Sequence, residues 1–185
     1  MADIIFKAEF HSDWHCGSGL AAGADVDLLV IKDKAGFPYI PGKTIKGLLR
    51  DEMQTLVDLE ILKEEVLLSL FGDEPHNDNG SDGKCCFSNA TLTKRIQDYL
   101  TPNNCGPTLF RSLASTAIEE NGQAKEHSLR RMEVVVPLTL FGKISDIPKD
   151  HLETMKDILQ LVKRLGTGRN RGLGRCTLTV EGGVA

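Results

Sequence analysis

Two short stretches concentrate the groups able to do chemistry. The first is Gly166-Thr167-Gly168-Arg169-Asn170-Arg171-Gly172-Leu173-Gly174-Arg175, with four glycines and three arginines in ten residues. Glycine lets a backbone approach another chain closely and accepts positive φ. Consecutive N–H groups in such a loop can cradle a phosphate, and arginines add bidentate contacts. A plain helix-to-strand turn needs fewer of either residue. Gly168, Arg169, Arg171, Gly172, Gly174 and Arg175 are therefore candidate anion-binding residues, although a glycine-rich loop alone does not separate RNA from a nucleotide. The second stretch is Ile40-Pro41-Gly42-Lys43-Thr44-Ile45-Lys46-Gly47-Leu48-Leu49-Arg50. On a helix, Lys43, Lys46 and Arg50 are spaced by three and four and share one face. Lys43 and Thr44 fall at the helix start, where unpaired N–H groups and the macrodipole favour an anion. Taken alone, a solvated basic face explains this segment equally well. The phosphate-loop spacing GxxxxGK[ST] is absent.

The remaining reactive residues point less sharply. Cys16, Cys85, Cys86, Cys105 and Cys176 form an odd set without a CxxC pair, which reads as free thiols. His76 with Cys85, Cys86 and Cys105 raises a structural zinc. Adjacent cysteines on a strand point to opposite faces, so free thiols and a loop histidine are the better reading. His11 and His15 suit general acid–base chemistry but are expected to pack, as are Phe10 and Trp14.

The bulk properties limit the setting. A length of 185 residues with 41% hydrophobic and 26% charged residues suits a single domain with a true core. No apolar run approaches the roughly 20 residues of a membrane span, and the N-terminus MADIIFKAEF has acidic residues where a signal peptide would be basic and then apolar. A cytoplasmic protein is expected. The net charge of −4 argues mildly against a nucleic-acid partner. The charges segregate, however: acids cluster in Asp51–Glu65 and Asp73–Asp82, bases in Lys43–Arg50 and Arg164–Arg175. Local field, not total charge, decides where a polyanion sits.

Residues 3–11 alternate loosely and predict a strand. A glycine-rich loop, Cys16–Gly23, and an extended segment, Val26–Lys32, follow. Pro41 should end any strand, with a helix starting near Gly42 or Lys43. Ile45, Leu48, Leu49 and Leu56 give it an apolar stripe. A second helical pattern runs from Leu59 to Leu70, then a polar loop over 73–84. Cys85–Leu92 has strand character. Residues 101–131 lack an apolar period and are expected to be an irregular insertion. Met132–Leu140 predicts a strand with a bulge or edge position at Pro137. A helix through Leu152–Leu165 and a last strand, Cys176–Val180, complete the order. That order is β-α-β-β-α-β, an α+β ferredoxin-like fold carrying an insertion, with the glycine-rich loop before the last strand. One face of such a sheet stays open, and that face often meets RNA.

The pairing of FPYIPGKTIKGLLR with GTGRNRGLGR resembles the RAMP superfamily of CRISPR systems. Within it, the chain is similar to the repeating backbone subunit of type III effector complexes. Cys16-Gly17-Ser18-Gly19, Asp27-Leu28-Leu29-Val30-Ile31-Lys32-Asp33 and Leu70-Phe71-Gly72 match in order between those two motifs. The resemblance implies partners: a guide RNA, a paired target RNA, other effector subunits, and copies of itself or paralogues stacked along the guide. It implies that residues 112–137 contain a thumb contacting both RNA strands. It also implies an aspartate that cuts the target, and Asp27 takes that position, six residues ahead of Asp33 and close to Asp25. The chemistry would be attack by a ribose 2′-hydroxyl on its own phosphodiester with a divalent metal, Mg2+ or Mn2+. The resemblance leaves three alternatives: a scaffold that binds guide RNA without cleavage, a guide-processing endoribonuclease using His11 or His15, and, outside the family, a nucleotide-binding protein.

Overall fold

The computed structural model describes residues 1–20, 26–73, 82–103, 105–120 and 122–184. Strand β1 (Ala2–Phe10) alternates as the sequence predicts: Ile4, Phe6, Ala8 and Phe10 are buried and the odd positions face outward. It lies between β5 (Thr139–Ile147) and β6 (Cys176–Val184), antiparallel to both. The two-residue β2 (Cys86–Phe87) adds to the outer edge of β5, giving the order β2-β5-β1-β6. Phe6 stands opposite Gly142, and its ring occupies the space where a side chain at 142 would be. A Cβ there would sit 2.4 Å from Phe6 Cζ.

Helices α1 (Gly42–Asp58) and α4 (Leu152–Leu161) cover the inner face of the sheet. Ile45, Leu48, Leu49 and Met53 from α1 join Met155, Ile158 and Leu159 from α4 in one core with the buried residues of β1, β5 and β6. Helix α1 begins where Pro41 ends the pairing of Ile40 with Ala90. The Gly42 N–H donates to the Asn89 side-chain oxygen at 2.9 Å, which pins the helix start to the segment after β2.

Some elements differ from the sequence reading. The helical pattern over Leu59–Leu70 is broken: α1 stops at Asp58 and α2 (Glu64–Phe71) starts only after a turn. Glu60 takes the left-handed conformation (φ 58°) while the Ile61 N–H bonds back to the Leu56 carbonyl, a helix stop usually signalled by glycine. An additional helix, α3 (Lys94–Leu100), precedes the insertion. Residues 101–131 are not irregular throughout: β3 (Phe110–Ser115) pairs with β4 (Arg130–Val135) in a separate two-stranded antiparallel ribbon. Both of its faces are largely solvated, so its strands do not need an apolar alternation. The strand expected over Met132–Leu140 belongs to two sheets, with β4 ending at Val135 and β5 starting at Thr139. Pro137 marks the crossing between them. The last helix ends at Leu161, earlier than its apolar spacing predicts, because Val162 is already extended and the Lys163 carbonyl accepts the Cys176 N–H. Among the described residues no helix is long and apolar enough to cross a membrane.

Substituting Gly142→Ala should destabilise the chain by roughly 1–3 kcal/mol through overpacking against Phe6, lowering Tm by about 3–10 °C. Thermal unfolding of G142A and of the double variant F6L/G142A checks the cause, since the smaller side chain should restore part of the loss.

Candidate functional site

The chain leaves α4 extended, and the Leu165 N–H closes onto the Gly174 carbonyl to isolate a loop over 166–173. Within it a single 3-10 turn, Arg169–Arg171, lies between Gly168 (φ 76°) and Gly172 (φ 84°). Two glycines are required outright. Gly166 has φ 95° and a Cβ there would lie 2.3 Å from the His15 carbonyl oxygen. Gly174 has φ 71° and a Cβ would lie 2.0 Å from the Leu165 carbonyl oxygen. The loop is held by the Thr167 N–H on the His15 carbonyl (2.8 Å) and the Gly174 N–H on the Asp13 carbonyl (2.7 Å). Arg164 braces it by donating to the Arg169 carbonyl at 2.6 Å. Arg169, Arg171 and Arg175 project into solvent.

This loop faces the start of α1 across a cleft of about 400 Å³. Lys43, Thr44 and Gly47 form one wall, Gly166, Thr167 and Arg169 the other, and Cys16 and Gly17 line the same cleft. Two cationic side chains from distant parts of the sequence thus border one concavity, an arrangement suited to phosphate, although the Gly42 and Thr44 N–H groups at the helix start are already taken by the Asn89 side chain and the Pro41 carbonyl. Gly168, Asn170 and Arg171 continue into a second concavity along the loop. The expected grouping of Lys43 with Lys46 and Arg50 is not what the structure brings together. Arg50 Nη1 donates to the Gly72 carbonyl at 2.5 Å, tying α1 to the end of α2. Lys46 is half-buried and acts electrostatically on Cys85. Arg175 stands at the loop exit, where its backbone bonds to the His11 N–H and the Ser12 hydroxyl.

Asp27 lies elsewhere, beside β4 towards the far end of the β3–β4 ribbon, where Arg131 pairs with Ala114. Its N–H donates to the Arg131 carbonyl and its carboxylate accepts the Arg131 N–H, at 2.9 and 2.7 Å. As a residue it is exposed. Residues 27–32 run extended between β4 and the segment 16–18, as expected for Val26–Lys32. Glu133 organises this junction and was not singled out by the sequence reading. Its carboxylate accepts the Val30 N–H (3.0 Å) and pairs with Lys32 (2.7 Å), while its carbonyl accepts His15 Nδ1 (2.7 Å). An acid inside the apolar run MEVVV was the available signal, since a carboxylate there must be partnered. Arg111 on β3 pairs with Asp13, fixing the ribbon to the same segment that carries the glycine loop.

The other candidates take packing or surface roles. His15 is buried, and His11 bonds the Thr177 hydroxyl at 2.8 Å. Trp14 is fully buried and stacked on Phe10. The open sheet face, where RNA commonly stacks, carries the ion pairs Lys7–Glu9 and Lys143–Asp3. Among the described residues no three His, Cys, Asp or Glu side chains gather to hold a metal. His76 and Asp25 lie outside the described residues.

A family model for the RAMP superfamily matches residues 7–177. Similar solved structures include a chain of the type III-B Cmr-beta complex bound to cognate target RNA, determined by cryo-EM, with TM-score 0.75 and 13% identity over 97% of both chains. A chain of the apo Cmr-beta complex gives TM-score 0.73 at 13% identity, again over 97% of both. No curated protein matches the sequence.

The thiols follow the burial pattern. Cys85 is buried and Cys86 exposed, as alternation requires. Burial pushes the Cys85 thiol up to about 11 and the Cys176 thiol up to about 12. Burial raises Cys16 as well, opposed by a hydrogen bond with Thr44. At about pH 8 an alkylating reagent should modify Cys86 in the folded protein and reach Cys16, Cys85 and Cys176 only after denaturant is added; peptide mass mapping checks this. Because these thiols stay protonated in the folded chain after unfolded cysteine ionises, stability should fall as pH rises from about 9 towards 12.

Proposed function

The chain belongs to the RAMP superfamily, and from that premise we propose that it is a backbone subunit of a type III CRISPR effector complex, binding guide RNA and cutting the paired target. The observation that carries this reading is the meeting of Lys43 and Thr44 with Gly166, Thr167 and Arg169 across one cleft, apart from a ribbon that carries Asp27 alongside it at Arg131. The cleft suits a single RNA backbone, read through phosphates and shape, with base pairing to supply sequence. The likeness to Cmr-beta chains supports RNA and other effector subunits as partners. The antiparallel order β2-β5-β1-β6, with α1 before β2 and α4 before β6, supports a ferredoxin-like β-α-β-β-α-β sheet. The ribbon then interrupts it between the second and third strands and serves as the thumb.

In the catalytic reading, the Asp27 carboxylate orients or removes the proton of a target 2′-hydroxyl, which attacks the adjacent phosphorus to form a 2′,3′-cyclic phosphate while the P–O5′ bond breaks and the leaving 5′-oxygen takes a proton from water. Asp27 would also be the protein ligand of a divalent cation, whose bound form supplies charge neutralisation at the phosphate. The bond from the Arg131 N–H holds the carboxylate still, so that it meets the substrate in one orientation. The same bond favours a second reading, in which Asp27 only locks the ribbon and the subunit is a non-cutting scaffold. Burial of His15 does not favour a guide-processing nuclease built on that residue.

Asp27→Asn separates the two readings, since its amide oxygen can still accept from Arg131. In a complex reconstituted with guide and Mg2+, D27N should cut complementary RNA at least about a hundredfold more slowly, while target affinity stays within about threefold. Gel-resolved cleavage at the wild-type rate would leave the scaffold. Lys43→Ala and Arg169→Ala should each weaken guide binding and reduce its salt dependence, measured by titration at several salt concentrations.

A further inference from the structure

Gly47 sits well inside α1, where glycine weakens a helix relative to alanine. Outside the helix's own backbone, a Cβ added there meets no atom of the described residues within 4 Å. Packing among the described residues therefore gives no reason for glycine, in contrast to Gly42, whose Cβ would lie 2.1 Å from the Phe87 carbonyl oxygen. The missing side chain only widens the cleft that Gly47 borders together with Lys43 and Arg169. Lys43, Gly47 and Asp51 follow one another at intervals of four, one stripe along the helix, and all three line that cleft.

Asp51 is the anomaly in a groove otherwise suited to phosphate. Its carboxylate is exposed and has no partner among the described residues. Like charges repel, so a phosphate is disfavoured beside it, and a ligand group seated there is favoured when it donates a hydrogen bond. An RNA backbone carries one hydrogen-bond donor, the 2′-hydroxyl, and a DNA backbone carries none. We infer that a ribose packs against the α1 backbone at Gly47 and donates its 2′-hydroxyl to Asp51, so that this groove distinguishes RNA from DNA. The inference rests on the RNA-binding reading above and adds the residues that set its specificity.

The full chain is titrated, by fluorescence anisotropy, with a labelled single-stranded RNA and with its all-2′-deoxy counterpart. Gly47→Ala should raise Tm while weakening RNA binding several-fold, and Gly47→Leu should weaken it about tenfold or more. Opposite movement of stability and affinity is not what a structural glycine gives. Asp51→Ala should weaken RNA binding about tenfold, leave DNA binding equal or tighter, and bring the two affinities together. If a native-like Gly47→Leu binds RNA as wild type while Lys43→Ala does not, the inference is overturned and the RNA-binding reading stands. Asp51→Ala weakening RNA and DNA alike overturns the 2′-hydroxyl assignment. If Gly47→Leu does not fold, Gly47→Ala carries the test, and its RNA affinity unchanged from wild type overturns the packing at Gly47. Wild-type chain showing no RNA binding, with Lys43→Ala and Arg169→Ala without effect, overturns the functional reading and this inference together.

Discussion

Residues 13–18 are hydrogen-bonded at once to three parts of the chain that lie far apart in sequence. The Asp13 and His15 carbonyls accept from Gly174 and Thr167, which holds the glycine–arginine loop. Trp14 exchanges both backbone bonds with Val135, and His15 Nδ1 reaches the Glu133 carbonyl, which holds the root of the ribbon. The Cys16 carbonyl and the Ser18 N–H bond to Ile31 and Leu29, which holds the extended segment carrying Asp27. Trp14, fully buried and stacked on Phe10, fastens this strap to the end of β1. The sheet and helices below supply a rigid base, and the strap transfers that rigidity to loops lacking a core of their own.

Charge placement follows from the same framework. A net charge of −4 would oppose a polyanion if it were spread evenly. Instead, many acids are committed: Asp13 to Arg111, Glu133 to Lys32, Asp3 to Lys143. The cations that remain exposed beside the cleft are Lys43 and Arg169, with Arg171 and Arg175 further along the loop. Such exposed ion pairs contribute little to stability; Lys7–Glu9 and Lys143–Asp3 neutralise the open sheet face locally, while the cleft brings Lys43 and Arg169 together with Asp51.

Elements that bury one face were legible in the sequence, because burial imposes a period. Strand β1, helix α1 and the body of α4 show theirs plainly, and Pro41 marks the start of α1. The ribbon was not legible, since β3 is solvated on both sides and Ser112 and Ala114 carry no alternation. The stop of α1 was hidden too: Glu60, not glycine, occupies the left-handed position, and the apolar spacing of Leu59, Leu62 and Val66 runs across it. The run Met132–Leu140 reads as one strand because β-branched residues suit either sheet, and only the geometry at Val136–Leu138 divides it.

The sequence by itself determined the local chemistry: a loop only glycine could form at positions 166 and 174, arginines beside it, and a helix starting at Gly42 with Lys43 in its first turn. These follow from residue type, local spacing and the positive φ that glycine accepts, which a linear sequence records directly, although the close approach of Gly166 to the His15 carbonyl is tertiary. Only the tertiary structure decided which side of α1 meets the loop. It turned Lys43, Gly47 and Asp51 towards the loop, and Arg50 towards the Gly72 carbonyl. It also set Glu133 between His15, Val30 and Lys32. Contacts between residues far apart in sequence depend on how helices and sheet pack, and no spacing along the chain specifies that.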